Sequence, residues 1–282
     1  MSAMTYLDHL AREVAAGRPA AVAKVVGWSP ARQRRPDAAS PALLGAAVLV
    51  GDGEILHADA VLHSPLPGGG PALAAQMARL AAEMLEQGET GCRWLRLPEG
   101  DVRVYVEAHL PPPVLLVVGG GHVGQQVAAA GALAGFEVWV LDDRPSFASP
   151  SRFPMARRVI CGPLVAELTA LAPGPRHHVV LVTRGHAHDR ACLSALAGAP
   201  VAYIGMIGSR TRVRAVRDAL LAEGVPEAWL DRVRAPIGLD IGARTPGEIA
   251  IAVIAEVIAS RRGGTGAPLS TLDRPLVHLS RR

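Results

Sequence analysis

With 282 residues, half of them hydrophobic, the chain is long enough to form one large or two modest domains with substantial cores. The formal net charge is +4, and Lys24 is the only lysine among 29 basic residues, so no glycine run carries the lysine of a phosphate-binding P-loop. The arginines are scattered and aromatic residues make up 4% of the chain, which argues against a nucleic-acid-binding surface.

The first 110 residues predict a small α+β domain. Leu7, Leu10 and Val14 recur at helical spacing, which predicts an amphipathic helix over residues 4–16. A second helix is predicted over residues 72–87, and strands over residues 21–28, 44–50, 54–62, 92–97 and 102–107. Loops rich in proline or glycine are predicted at residues 29–41, 66–71 and 98–100.

Three consecutive prolines at positions 111–113 form a stiff linker, and we place the domain boundary there. Residues 114–262 then predict a Rossmann-like α/β domain with a parallel sheet, and residues 263–282 an irregular tail. The whole chain is therefore expected to be an α/β protein with a smaller N-terminal α+β domain.

A glycine fingerprint opens the second domain. Residues 114–118 form a short apolar strand, Gly119, Gly121 and Gly124 follow in the spacing Gly-x-Gly-x-x-Gly, and an Ala-rich run over residues 125–135 predicts a helix. A second strand over residues 137–141 ends on Asp142 and Asp143, so the fingerprint stands in the context that dinucleotide-binding folds require.

Each residue type in this fingerprint has a physical reason. Gly119 permits the tight turn, Gly121 leaves the backbone bare for an approaching phosphate, and Gly124 lets the helix pack closely on the sheet. The helix N-terminus adds unpaired N–H groups and a positive dipole end. Asp142 lies at the tip of the second strand, where its carboxylate could accept ribose hydroxyls. The glycines could also make a tight connection and bind nothing.

Further along the chain, strands are predicted at residues 159–160, 178–183 and 201–204, and helices at 163–171, 190–196, 211–222 and 246–261. Thr245 is the predicted N-cap of the last helix, with Pro246 at its first position and Glu248 completing a capping box. Ligands bind at the carboxyl ends of strands in a doubly wound sheet. Four polar or glycine-containing loops meet that condition, at residues 119–124, 142–144, 183–189 and 205–210.

The side chains in these loops allow more than one interpretation. Arg184 and Arg210 could clamp a phosphate or carboxylate, or they could pair with Asp189 or Asp240. If the segment before the helix is extended, His186 and His188 point the same way and could face one metal ion or act as an acid–base group.

No third metal ligand is identifiable, however, and Asp189 could simply cap the following helix. His122 could touch a bound phosphate or face solvent. Asp240 could be a ligand-binding acid or a turn residue.

The sequence predicts a protein of the cytoplasm. Asp8, Arg12 and Glu13 interrupt the N-terminus before any apolar run develops, so no signal peptide is expected, and no run reaches membrane-spanning length. The three cysteines, at positions 92, 161 and 192, have neither disulfide-motif nor zinc spacing and are expected to be buried thiols in a reducing compartment.

Several strings in the second domain together resemble the XdhC/CoxI family, the xanthine dehydrogenase accessory proteins. The matching stretches fall at residues 119–124, 142–147, 183–189, 203–210, 235–242 and 245–250, so the resemblance covers about residues 114–262. The N-terminal half diverges: Pro71 stands where the family often has cysteine after its Gly-Gly-Gly loop, and Arg234 where it commonly has histidine.

The resemblance implies a cofactor-binding chaperone rather than an enzyme. Such proteins bind molybdenum cofactor, help it receive its terminal sulfur, and deliver it to a xanthine-dehydrogenase-like hydroxylase. They are often homodimers, and a cysteine desulfurase is a possible second partner. The alternatives are an NAD(P)-dependent oxidoreductase that uses the Rossmann site and a protein–protein scaffold with a vestigial site. The residues expected to contact a cofactor are Gly119, Gly120, Gly121, His122, Val123, Gly124, Asp142, Asp143, Arg144, Thr183, Arg184, Gly185, His186, His188, Asp189, Gly205, Ser209, Arg210 and Asp240.

Overall fold

The computed structural model describes residues 5–30, 43–63, 71–97 and 100–271. The chain divides into two compact units, Met1–Pro111 and Pro112–Arg282. Parts of four predicted loops, at residues 31–41, 66–70, 98–99 and 272–282, lie outside the described residues.

The first unit is an antiparallel sheet with a helix on each face. Its elements are α1 (Tyr6–Ala15), β1 (Ala20–Pro30), β2 (Ala47–Gly51), β3 (Glu54–Ala58), a 3₁₀ turn (Ala60–His63), α2 (Pro71–Gln87), β4 (Gly91–Leu97) and β5 (Gly100–His109). The strand order is β3-β2-β1-β5-β4. The main core lies between α2 and one face of the sheet, where buried residues such as Val48, Met77 and Val104 meet. A smaller cluster lies under α1, around Val22 and Leu49.

The second unit is a six-stranded parallel sheet with helices on both faces. Its elements are β6 (Val114–Val118), α3 (His122–Leu133), β7 (Glu137–Asp142), β8 (Arg158–Cys161), α4 (Leu164–Leu171), β9 (His177–Leu181), α5 (His186–Ala195), β10 (Tyr203–Met206), α6 (Arg210–Ala222), α7 (Glu227–Leu230), β11 (Val233–Arg234) and α8 (Pro246–Arg262). The strand order is β11-β10-β9-β6-β7-β8, and every neighbouring pair is parallel.

Alternating side chains of the central strand serve two separate cores. Leu116 and Val118 of β6 join α4, α5 and α6 on one face. Leu115 and Val117 join α3 and α8 on the other. Because both faces are covered, β6 is apolar throughout, as expected for a central parallel strand. The predicted α/β architecture with a Rossmann-like C-terminal sheet is confirmed.

Some predicted boundaries are wrong. The strand predicted over residues 54–62 ends at Ala58, and the last three residues of that stretch belong to the 3₁₀ turn. The short elements α7 and β11 were not predicted, because four and two residues are too few to show a periodic pattern. At the start of α8 the predicted capping box is confirmed: Thr245 Oγ1 accepts from Glu248 N, and Glu248 Oε2 accepts from Thr245 N.

None of the helices in the described part of the chain combines the length and the apolar character needed to cross a lipid bilayer.

Candidate functional site

The order in which the chain adds strands to the sheet reverses at β6. From β6 the chain winds through β7 to β8 on one side, and from β9 through β10 to β11 on the other. The carboxyl ends of β6 and β9 therefore flank a topological switch point, which is where open α/β sheets bind ligands. Two segments meet at this point, the turn that follows β6 and the turn that leads from β9 into α5.

The glycines of the first turn differ in their surroundings. Gly119 has a φ of +116°, and a Cβ added there would lie 2.5 Å from the carbonyl oxygen of Val182. A Cβ at Gly124 would lie 1.9 Å from the carbonyl oxygen of Gly119, so only glycine lets α3 approach this closely. At Gly121, in contrast, a Cβ would meet nothing within 4 Å. The protein therefore leaves the backbone of Gly121 open to an approaching group.

Gly121 is also the N-cap of α3 and has no side chain to cap the helix. His122, which is exposed, and the half-buried Val123 follow in the first turn. The N–H groups of a first helical turn have no acceptor within their own helix and carry a partial positive charge. This end of α3 is suited to an anion such as a phosphate.

Asp142 is bound to the turn and is not free to accept ribose hydroxyls. It is 2% exposed. Its Oδ2 accepts from Gly120 N at 2.6 Å and Arg144 Nη2 at 2.9 Å, and its Oδ1 accepts from Arg144 N and Nε, both at 2.9 Å. These four bonds fill the roughly four acceptor positions of a carboxylate. Burial acts to raise the pKa of Asp142, but the bonds from Arg144 and Gly120 outweigh it, and the pKa lies below its usual range.

Two residues that were not among the expected cofactor contacts, Phe147 and Arg152, complete the turn. The ring of Phe147 lies under the Arg144 guanidinium, 3.5 Å from centroid to Cζ, and Arg152 lies 5.1 Å from the same ring. Arg152 Nη2 also donates to the carbonyl oxygen of Gly120 at 3.3 Å. Arg152 thus brings a positive charge beside the glycine turn, from a loop 32 residues away in sequence.

At the end of β9, Thr183 and Asp189 form a buried network instead of an open site. Thr183 Oγ1 donates to Asp189 Oδ1 at 2.5 Å, and Arg212 Nη2 forms an ion pair with Asp189 Oδ2. Asp189 is fully buried, so the network joins β9, α5 and α6. The expectation that Asp189 caps α5 is wrong, because the N-cap is Gly185. Arg212 lies four residues before the buried Val216, on the same side of α6. That spacing was the sequence signal that the Arg212 side chain points toward the protein.

The two histidines do not lie on an extended segment. Helix α5 begins at His186 and includes His188, so the expectation of an extended segment, from which a shared ligand was inferred, is wrong. In the described ranges no group of three or more His, Cys, Asp or Glu side chains could hold a metal ion.

A second acid, Asp143, remains partly open at the same edge. Its side chain is 34% exposed, and its Oδ1 lies 3.3 Å from Arg184 Nη2. His188 Nε2 lies 3.7 Å from its Oδ2, which is too long for a hydrogen bond. Asp143 and His188 stand beside a cavity of about 310 Å³ between α4 and α5.

Four other predicted site residues do not contribute to the glycine turn or to the cavity beside Asp143. Gly205 is inside β10 and not in the loop after it, and a Cβ there would lie 2.5 Å from Ile237 Cδ1, so it is covered by protein. Ser209 caps α6 by accepting from Arg212 N. Asp240 is exposed and lines a separate cavity of about 540 Å³ beside β11 and the C-terminal part of α8. Arg210 is exposed, and no hydrogen bond or ion pair involves it within the described segments.

The cysteines are not all buried, contrary to the expectation from the sequence. Cys192 is fully buried, and burial followed by the nearby Asp189 raises its pKa to about 12. Cys92 and Cys161 are exposed. Both lie in edge strands, Cys92 in β4 and Cys161 in β8, and the position of a strand within its sheet is not revealed by residue spacing.

The fold and the open glycine turn define a Rossmann-like protein with a candidate anion site at its switch point. Residues 115–257 match the family model of the XdhC Rossmann domain, which spans half of the chain. The chain therefore belongs to the XdhC family.

Two curated relatives and one solved structure are similar to it. The chain is 32% identical over 180 residues to the uncharacterized protein YqeB of Escherichia coli K12, covering 64% of this chain and 33% of YqeB. It is 32% identical over 170 residues to a protein of Bacillus subtilis 168 described as a probable xanthine dehydrogenase subunit, covering 60% of this chain and 49% of that protein. The matches thus span a third to a half of these relatives' lengths.

The crystal structure of a protein described as a xanthine dehydrogenase from Bacillus halodurans has the same fold. It superposes with a TM-score of 0.51 at 17% identity, covering 96% of this chain and 98% of the other.

Proposed function

We propose that this protein binds molybdenum cofactor and delivers it to a xanthine-dehydrogenase-like molybdenum hydroxylase. Membership of the XdhC family, which is linked to xanthine dehydrogenase maturation, supports this, as does the likeness to a relative named as a xanthine dehydrogenase subunit. The observation that carries the proposal is the open backbone of Gly121 at the N-terminus of α3.

The residues at this turn fit the phosphate of a molybdopterin. The N–H groups of Gly121 and His122 would hold the phosphate at the positive end of α3. Arg152 would add a charge-assisted hydrogen bond, since it lies next to the turn. In the client hydroxylase the bound cofactor supplies the molybdenum centre. The chaperone must release its ligand, so it has no need of a covalent or tightly chelating residue.

The competing NAD(P)-dependent oxidoreductase is less well supported. A nicotinamide dinucleotide normally places its ribose hydroxyls on the acid at the tip of the second strand. Here that acid is Asp142, and its acceptor positions are taken by Gly120 and Arg144. A dinucleotide would have to displace the partly buried Arg144 guanidinium, which donates two hydrogen bonds to Asp142.

Gly121→Val tests the proposal. The Cβ of the valine would meet no protein atom within 4 Å, so we expect the fold to be retained while the side chain fills the approach to the turn. Gly174→Val is the matched control, because that glycine is equally open and precedes β9, at the opposite edge of the sheet. Both variants and the parent would be purified from a molybdopterin-producing host, and the fluorescent oxidised pterin per protein measured.

We expect the control to retain as much pterin as the parent. Gly121→Val should retain at least about tenfold less, because losing a charge-assisted contact between the phosphate and the turn costs about 1.5–3 kcal/mol. Equal retention by Gly121→Val would show that the turn is not the site. A parent that retains no pterin but binds NAD(H) would replace the proposal with the oxidoreductase.

The same proposal includes a homodimer, an encounter with a cysteine desulfurase, and a location in the cytoplasm. Size-exclusion chromatography with light scattering tests the dimer. Co-purification with the client hydroxylase and with the desulfurase tests the two partners separately.

A further inference from the structure

The cavity between α4 and α5 combines a mostly apolar lining with one carboxylate. Its volume is about 310 Å³, at the lower end of the range for small-molecule sites. The lining is mostly aliphatic, with Leu164 and Val165 from α4 and Ala187 and Ala191 from α5, beside His188. Asp143 is the only carboxylate that lines the pocket within the described residues. A heterocycle seated against these side chains would bury apolar surface.

Asp143 differs from its neighbour Asp142 in the way that matters for binding. Asp142 is buried and accepts four hydrogen bonds. Asp143 is a third exposed, and its Oδ2 has its nearest ion-pair partner at 3.7 Å, beyond hydrogen-bond range. Its contact with Arg184 is made to a side chain that is 54% exposed, and such surface pairs contribute little. Asp143 can therefore accept donors from a ligand in the pocket.

The pocket and the glycine turn belong to one continuous edge. A Cβ on Gly119 would lie 3.2 Å from Thr183 N, so the first turn abuts the segment that leads into α5. Arg184, the next residue, contacts Asp143, which lines the pocket. Asp142, which precedes Asp143, accepts from Gly120. One ligand could thus extend from the turn into the pocket.

We infer that this pocket binds the 2-amino-4-oxopyrimidine ring that pterins and guanine share, with the Asp143 carboxylate accepting the adjacent ring N–H and amino N–H. A carboxylate can accept such a pair of donors side by side. The inference rests on the proposed function for its ligand class, and it assigns the ring to a second position, away from the phosphate at Gly121.

The test uses the full-length protein and ligands without the dithiolene or metal. Pterin, whose fluorescence reports binding, is compared with guanosine monophosphate, with lumazine, in which an oxo group replaces the amino group, and with adenosine monophosphate. Two variants alter the pocket. Asp143→Asn removes the carboxylate charge, and its control is Asp218→Asn, at an exposed acid on α6. Ala187→Phe fills the pocket, and its control is Ala170→Phe, at an exposed position on α4.

We expect pterin to bind about tenfold to a hundredfold more tightly than lumazine, because a site built to accept an N–H group rejects an analogue without it. Asp143→Asn and Ala187→Phe should each weaken pterin binding about tenfold or more, and the two controls should bind as the parent does. If guanosine monophosphate bound more strongly than pterin in the Gly121→Val variant as well as in the parent, the ring in the pocket would be identified as the guanine of a dinucleotide cofactor.

Equal binding of lumazine and pterin, undiminished binding by Ala187→Phe, or no binding of any 2-amino-4-oxopyrimidine would each overturn the inference. These outcomes are separable from failure of the proposed function. Free pterin has no phosphate, so its binding should survive Gly121→Val, whereas retention of the whole cofactor should not.

Discussion

Replacing Asp142 by asparagine should destabilise the second unit much more than the same change at Asp143. Asparagine keeps the shape of the side chain, but its amide would present N–H groups to one of the two donor sets around Asp142, either Gly120 N with Arg144 Nη2 or Arg144 N with Nε. The charge that compensates the largely buried Arg144 is lost as well. Removing one partner of a buried ion pair costs about 3–5 kcal/mol.

In a unit of this size each kcal/mol corresponds to roughly 2–4 °C in the unfolding midpoint, so Asp142→Asn should lower it by roughly 6–20 °C. Asp143→Asn should lower the free energy of unfolding by no more than about 1 kcal/mol, since its ion pairs are exposed. Differential scanning calorimetry at pH 7 measures both variants. Equal shifts, or a shift for Asp142→Asn below about 1 kcal/mol, would refute the assignment of Asp142 as the residue that holds the turn.

The effect should also depend on pH. The pKa of Asp142 lies lower in the folded protein than its value of about 3.9 in an unfolded chain. Ionised Asp142 therefore contributes its stability above about pH 4, and that contribution is lost as the pH falls through the folded pKa. The difference between the parent and Asp142→Asn should be constant from about pH 5 to 7 and shrink below about pH 4. A difference that grew on acidification would contradict this.

Local geometry leads to two further predictions. Gly124→Ala should lower the free energy of unfolding by about 3 kcal/mol or more, because its Cβ would overlap the carbonyl oxygen of Gly119, whereas Gly121→Ala should lower it by about 1 kcal/mol. Thermal unfolding compares the two variants, and equal losses would mean that the close approach of α3 to the glycine turn is not needed. With a thiol reagent at about pH 8, Cys92 and Cys161 should react in the folded protein, and Cys192 only after unfolding, because Cys192 is buried and its pKa is raised. Equal reaction rates for all three thiols in the folded protein would contradict the burial of Cys192.

The Rossmann-like sheet could be predicted because its signals are local. A short apolar strand, a glycine turn and an Ala-rich helix follow one another within about twenty residues, and each residue type restricts the backbone by itself. The same holds for the capping box of α8, where Thr245 and Glu248 are three residues apart. The prediction of an extended segment before α5 was wrong. The N-cap of this helix is Gly185, which has no capping side chain, so the sequence carries no side-chain signal for the start of the helix.

Local sequence was sufficient to define most of the strands and helices and to locate the bare backbone of Gly121, since these depend on residues within one or two turns of chain. It could not show which of two adjacent acids is bound to the protein and which stays open. The contacts that separate them join residues far apart in the chain: Gly120 is 22 residues from Asp142, and Arg184 is 41 residues from Asp143. Such pairs form only when the parallel strands bring their carboxyl ends to one edge, and that arrangement is a property of the packed sheet.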